Sequence, residues 1–280
     1  MLNKLNPTLT NSELVELWLH GKSKNTRDGY QRYAMSFLAH LGNKPLAEVT
    51  LMDFQLWQMS LVSADNSQRV AVAAIKSLFS FAHQLGVIPA NLGILVKSPQ
   101  AKNRLAERIL TEDEVKGMIR AAPSPRNRAI IRLLYSGGLR VSELCGLKWR
   151  DLKCREPGGQ ITVFGKGGKT RVVLLSPGVW DAVYQLKGNA GLDDPVFVSR
   201  HGGHLCRSMV FHIVKDAAKR AGLEVNVSPH WLRHSHASHS LDNGAPIHLV
   251  QKTLGHSTVA ITEKYLHAKP TDSSSLYLPD

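Results

Sequence analysis

Apolar residues recur every three or four positions over four successive stretches, Asn11 to His20, Asn25 to Leu41, Thr50 to Leu61 and Asn66 to Leu85. That is the period of helices burying one face. Thr50 and Asn66 stand where a side-chain oxygen can cap a first turn, and Gly21, Gly42 and Gly86 stand where helices should stop. The period fails from Ile88 to Glu107, a stretch holding prolines, glycine and several cations, which reads as an extended basic linker. Thr111 followed by Glu114 is a capping box and opens a second domain, helical to about Trp149 apart from Pro123, Pro125 and Gly137-Gly138. The pattern then changes to period two. Ile161 to Phe164 and Thr170 to Leu175 are β-rich runs around a Gly-Lys-Gly-Gly-Lys turn, the signature of a hairpin. Helical pattern resumes at Pro177, with a short strand expected at Val196 to Val198, and ends before a Ser-rich tail carrying Leu276-Tyr277-Leu278.

The expected fold class is therefore mainly α with a small β-hairpin or sheet. A helical domain covers 1–88, a basic linker 89–107, a mixed α+β domain 108–267 and a tail 268–280. Length and composition agree: 280 residues suit two domains, and 43% apolar with 20% charged residues is enough to build cores. No stretch approaches the roughly 18 apolar residues of a membrane helix, and Met1 to Thr10 lacks the apolar segment of a signal peptide, so a cytoplasmic protein is expected. Cys145, Cys154 and Cys206 are odd in number and form no CxxC, which fits neither a disulfide framework nor a zinc ribbon. Charge changes the picture most. Lys and Arg exceed Asp and Glu by 13, by +3 before residue 100 and +10 after it. Such an excess, without a basic amphipathic anchor, favours nucleic acid as the partner.

Four places carry candidate chemistry. Gly165-Lys166-Gly167-Gly168-Lys169-Thr170 ends like a phosphate-binding P-loop, but Val163 occupies the position of its first glycine and a β-run follows where a helix is required. A solvated turn lysine is the plain alternative. Ser228-Pro229 opens a helix on which His230 and Arg233, three apart, share a face near its positive end, where an anion would sit. His234, His236 and His239 raise a metal alternative, yet no HExxH and no nearby acid or cysteine completes a site, so packing roles are expected for most of them. Gly137-Gly138-Leu139-Arg140 places an arginine at a helix start, with Glu143 one turn on. Leu254-Gly255-His256-Ser257 precedes Tyr265 by an interval that, on one unbroken helix, sets His256 and Tyr265 on opposite faces, so a break at Gly255 is needed if they share a pocket.

Taken in order, Gly-Leu-Arg140-Val-Ser-Glu-Leu, the Lys166 hairpin, His230-x-x-Arg233-His, Leu-Gly-His256-Ser and Tyr265 resemble the boxes of the tyrosine recombinases, most closely the compact Xer-like members. The resemblance runs over the whole chain and implies a helical core-binding domain joined to a catalytic domain, the two forming a clamp around DNA. It implies Tyr265 as nucleophile, His230 as its base, Arg140 and Arg233 on the phosphate oxygens, His256 as a further donor to them, and Lys166 as acid for the leaving oxygen. Glu143 would buttress the site, while Lys169 and Arg171 would contact DNA. No metal, nucleotide or other cofactor is implied. The partners would be a double-stranded recombination site and further copies of the chain, a tetramer passing through a 3′-phosphotyrosyl intermediate and a Holliday junction. Type IB topoisomerase-like relaxation and a noncatalytic DNA-binding protein on the same scaffold are the alternatives, and the second has no use for Tyr265.

Overall fold

In the computed structural model the described residues are 9–42, 44–63, 65–99, 105–165, 168 and 170–266. They form two compact units, divided between residues 103 and 104.

The first unit contains α1 (Asn11–Leu19), α2 (Lys24–His40), α3 (Leu51–Ser60) and α4 (Asp65–Gln84). Local chemistry sets the starts. Thr10 and Glu13, and again Thr50 and Asp53, exchange side-chain and backbone bonds as capping boxes. The fourth helix begins one residue before Asn66, which therefore lies in its first turn rather than capping it. Phe37, Phe54, Trp57 and Phe79 meet at the centre with ring centroids 5.1 to 5.9 Å apart, tilted or edge-on in most pairs, as ring quadrupoles prefer. The stretch after Ile88 departs from the extended linker that its broken periodicity suggests. Ile88 and Val96 are buried in this core, Leu92–Ile94 makes a 3-10 turn, and Lys76 donates to the Val96 carbonyl at 2.7 Å. Two anchoring apolar residues hold a segment that has no period to betray it.

The second unit begins with α5 (Glu112–Ala121), opened by the Thr111 and Glu114 capping box, and α6 (Pro125–Ser136), capped by Ser124 with Pro125 in its first turn. The short α7 (Val141–Gly146) leads to an antiparallel sheet of β1 (Leu152–Arg155), β2 (Gly158–Phe164) and β3 (Thr170–Leu175), in that spatial order. The hairpin is present, with Phe164 opposite Thr170 and Val163 opposite Arg171, and β1 adds a strand too short to show a pattern. Ile161, Val163, Val173 and Leu175 face inward. Val196 to Val198 forms no strand; Val198 makes an isolated bridge to His204. Five helices follow: α8 (Pro177–Tyr184), α9 (Arg207–Arg220), α10 (Pro229–Asp242), α11 (Ile247–Leu254) and α12 (Val259–Leu266). The chain does break at Gly255, whose φ of +63° is left-handed and favours glycine, and this turns α12 away from α11. Ala237, Val250, Leu254 and Tyr265 then close a small core of their own among α10, α11 and α12. The tail at Leu276 to Leu278 lies outside the described residues.

Candidate active site

Arg140 is placed by the loop that ends α6 and starts α7. Gly138 takes φ +57°, and a Cβ there would stand 2.6 Å from Leu254 and 3.0 Å from His236, so this turn accepts no side chain. The Arg140 amide donates to Glu143 Oε2 at 2.7 Å, its Nη1 donates to Glu143 Oε1 at 2.8 Å, and its Nη2 donates to the Gly255 carbonyl at 3.0 Å. One side of the guanidinium is thus fixed by protein while the side chain stays 38% exposed.

Glu143 is the hub. It is 4% exposed, and Arg171 on β3 clasps both of its oxygens at 2.8 Å. Burial pushes its pKa up, but the hydrogen bonds from Arg171 and the Arg140 amide outweigh burial and hold it at about 2. Arg171 also donates from Nε to the Thr253 carbonyl at 2.7 Å, just before the turn carrying His256. Every nitrogen of its guanidinium is therefore engaged within the protein, and only 12% of the side chain is exposed. Lys166, Gly167 and Lys169 lie outside the described residues.

From α10, buried Arg233 donates to the carbonyls of Gly138 and Leu254, which end α6's loop and α11. Burial first, and then the neighbouring Arg140, lowers its pKa to about 9, so it remains cationic at neutral pH at an energetic cost that an anion would relieve. Two of its five N–H donors are used by these carbonyls. His230, one turn earlier, has its pKa lowered by burial first and then by Arg233 and Arg140. His256 directs Nδ1 to the Thr262 hydroxyl at 2.9 Å, and burial followed by Arg233 and Arg140 lowers its pKa to about 4. Its ring lies parallel to that of Tyr265, with centroids 6.3 Å apart.

Tyr265 is 6% exposed, and burial raises its pKa, an effect that Arg233 partly opposes. Its hydroxyl lies 2.7 Å from Nδ1 of His234. The structure thus brings Arg140, Glu143, His230, Arg233, His256 and Tyr265 to one place, drawn from α7, α10, the turn after α11, and α12. Sequence reasoning gave His234 a metal-ligand or packing role and not a contact with Tyr265, and it gave Arg171 a DNA contact without anticipating its bonds to Glu143 and Thr253. Neither the histidine run nor adjacency to Arg233 foretold the contact of His234, since neighbours on a helix do not share a face. The histidines that suggested a metal diverge. His234 meets Tyr265, and His239 meets the Tyr135 hydroxyl at 2.8 Å. Among the described residues no three His, Cys, Asp or Glu side chains are grouped to hold a metal ion.

A helical unit joined to a helix-rich unit with a small sheet, and a cationic cluster around one tyrosine, define a class that comparison with known proteins identifies. The phage integrase family model matches residues 108–272. The tyrosine recombinase XerC of Xylella fastidiosa (strain M23) is 33% identical over 275 residues, covering 91% of this chain and 92% of the relative. Among solved structures, a λ integrase dimer bound to a COC′ core site superposes with a TM-score of 0.78 at 20% identity, over 95% of this chain and 98% of that one. A λ integrase tetramer bound to a Holliday junction gives 0.74 at 19% identity, over 90% and 79%. The chain belongs to the phage integrase family. Within it, this is a tyrosine-type site-specific recombinase. Among the described residues no helix is long and apolar enough to cross a membrane.

Proposed function

We propose that the protein cuts and rejoins double-stranded DNA through a covalent bond between Tyr265 and a 3′-phosphate. Attack of the Tyr265 oxygen on phosphorus forms the O–P bond and breaks the bond to the 5′-oxygen, and the reverse attack by another strand's 5′-hydroxyl restores a phosphodiester. Bond energy is kept in the link, so no nucleotide is consumed. The observation that carries this reading is the convergence of two arginines and two histidines on one buried tyrosine, with the site's carboxylate already neutralised by Arg171.

Charge builds on the phosphorane as the tyrosine adds, and planar guanidiniums match its nonbridging oxygens. Arg140 and Arg233 take that role, their remaining donors held at fixed positions by carbonyls and Glu143. Preorganised donors of this kind each contribute about 3–4 kcal/mol to transition-state stabilisation. His256, with Nδ1 committed to Thr262, offers Nε2 to the same phosphate. Lys166 protonates the leaving 5′-oxygen. Arg171 is a positioning residue that holds Glu143, rather than the DNA contact its charge suggested. Strand exchange by a tetramer through a Holliday junction follows the assembly in which λ integrase is seen, and the site of action is the cytoplasm, where DNA is held.

The test is covalent capture. Incubating the protein with nicked duplexes that carry a randomised central stretch, and recovering DNA linked to protein, should return a defined site. Tyr265→Phe should bind that site with near-normal affinity and form no link, because one hydroxyl adds little beside many phosphate contacts. Covalent linkage by Tyr265→Phe would remove the reading.

A further inference from the structure

The nucleophile needs a base, since an unperturbed phenol has a pKa of about 10 and burial in this site raises it further. The resemblance gave that role to His230. The geometry around Tyr265 points elsewhere. Its hydroxyl is 2.7 Å from His234 Nδ1, inside the range in which proton transfer operates, and the two ring centroids are 5.7 Å apart. His230 instead has Arg233 and Arg140 as its charged surroundings, the pair proposed to hold the phosphate.

We propose that His234 is the catalytic base that takes the Tyr265 proton, leaving His230 to act on the phosphate. The inference rests on the recombinase reading above and deepens it. As the Tyr265 oxygen bonds to phosphorus, its O–H bond breaks and the proton passes to His234 Nδ1. The P–O5′ bond breaks in the same displacement, and the leaving oxygen takes its proton from a separate acid. On rejoining, the proton returns from Nδ1 to the phenol oxygen, so the cycle balances without a co-reactant.

The surroundings of His234 suit this task. Arg108 approaches from the 3-10 turn Ala106–Arg108, His230 and Arg233 from α10, His256 from the turn after α11, and Tyr265 from α12. Burial first, then His230, Arg108 and Arg233, lowers the His234 pKa to about 4, so at neutral pH its ring is uncharged and can accept. A buried imidazole this weakly basic leaves the phenol protonated in the free protein. A phosphodiester brings negative charge beside the same cations, which favours the imidazolium and ties activation of the nucleophile to bound DNA.

The first test needs no DNA. At neutral pH the ¹⁵N resonance of His234 Nδ1 in the full-length protein should be that of an unprotonated acceptor; a protonated Nδ1 donating to Tyr265 overturns the proposal. The second uses the duplex captured above. His234→Asn keeps a polar partner but takes up no proton, and should slow covalent-link formation on the order of 10²–10⁴-fold with duplex affinity unchanged. The defect should shrink as pH rises towards the phenol pKa, or when residue 265 is a fluorinated tyrosine of lower pKa. His230→Asn should show neither rescue. Wild-type rates in His234→Asn, or rescue of His230→Asn in its place, overturn the assignment while Tyr265→Phe remains inert. Linkage by Tyr265→Phe removes the recombinase reading itself.

Discussion

The carboxylate of Glu143 and the guanidinium of Arg171 meet side by side through two bonds of 2.8 Å, 28 residues apart in the chain. Arg171 lies on β3 opposite Val163 and also holds the Thr253 carbonyl, so one side chain joins the sheet, α7 and the end of α11. Those are the supports of the Lys166 hairpin, of Arg140 and of His256. Arg171→Lys should therefore act as a loss of support. A lysine keeps a charge near Glu143 but cannot engage both of its oxygens and the Thr253 carbonyl together, so part of the buried network is lost. Thermal melting should show a clear fall, and covalent-link formation should slow with little change in DNA affinity. A residue touching a DNA phosphate behaves in the opposite way: its loss weakens binding and reduces the salt slope by about 1. That second pattern would restore Arg171 as a DNA contact.

This arginine marks where sequence stops being informative. The caps at Thr50 and Thr111, the glycine stops and the hairpin turn were legible because each rests on residues close together in the chain, as at Thr50 with Asp53 and Thr111 with Glu114. The helix start expected at Asn66 lies one residue earlier. The break at Gly255 was legible too, because His256 and Tyr265 could not otherwise share a pocket. Arg171's cation was visible, but its partner is set by the folding of α7 against β3, which no local pattern encodes. His234 was visible as a histidine, but its contact with Tyr265 was hidden for the same reason, since the turn after α11 carries Tyr265 back over α10. The segment after Ile88 was misread because its two buried anchors, Ile88 and Val96, are too far apart to produce a period.

Acid should destabilise the fold in two steps. His234, His236 and His256 are each lowered to about 4, chiefly by burial, against an ordinary value of 6.5. Between those values the unfolded chain binds protons that the native state refuses, so stability is full above about 6.5 and is lost as pH falls towards 4. Glu143, held at about 2 against 4.5, adds a loss that begins below about 4.5 and continues to 2. Denaturant midpoints measured from pH 7.5 to 4.5 should fall steadily, and His236→Gln should flatten part of the slope. A midpoint constant between pH 7.5 and 5 would contradict the buried neutral histidines.

Gly255→Ala should injure the site from its backbone. The left-handed φ of +63° costs an L-residue roughly 1–2 kcal/mol. The added Cβ would also come within 3.2 to 3.5 Å of Arg171, and the Gly255 carbonyl is a ligand of Arg140. Expected outcomes are a modest drop in melting temperature and a larger drop in link formation. Equal activity with equal stability would show that the turn tolerates a side chain and that its conformation does not set Arg140.

The leaving group separates Lys166 from a merely solvated turn lysine. If Lys166 gives the proton to the 5′-oxygen, Lys166→Ala should cripple cleavage of an ordinary phosphodiester, a loss on the order of 10²–10⁴-fold. Replacing that oxygen with sulfur makes a leaving group that departs as a thiolate and needs no proton, so a 5′-phosphorothiolate duplex should return most of the lost rate. Arg140→Ala should gain nothing from the same substrate, because Arg140 stabilises charge on the nonbridging oxygens, which the sulfur does not alter. His234→Asn should likewise stay slow, since its proton lies on the nucleophile's side of the phosphorus. Rescue confined to Lys166→Ala places the acid at residue 166. Equal rescue of Lys166→Ala and Arg140→Ala, or of neither, would mean another group protonates the leaving oxygen, and Lys169, three residues along the same hairpin, is the next to replace.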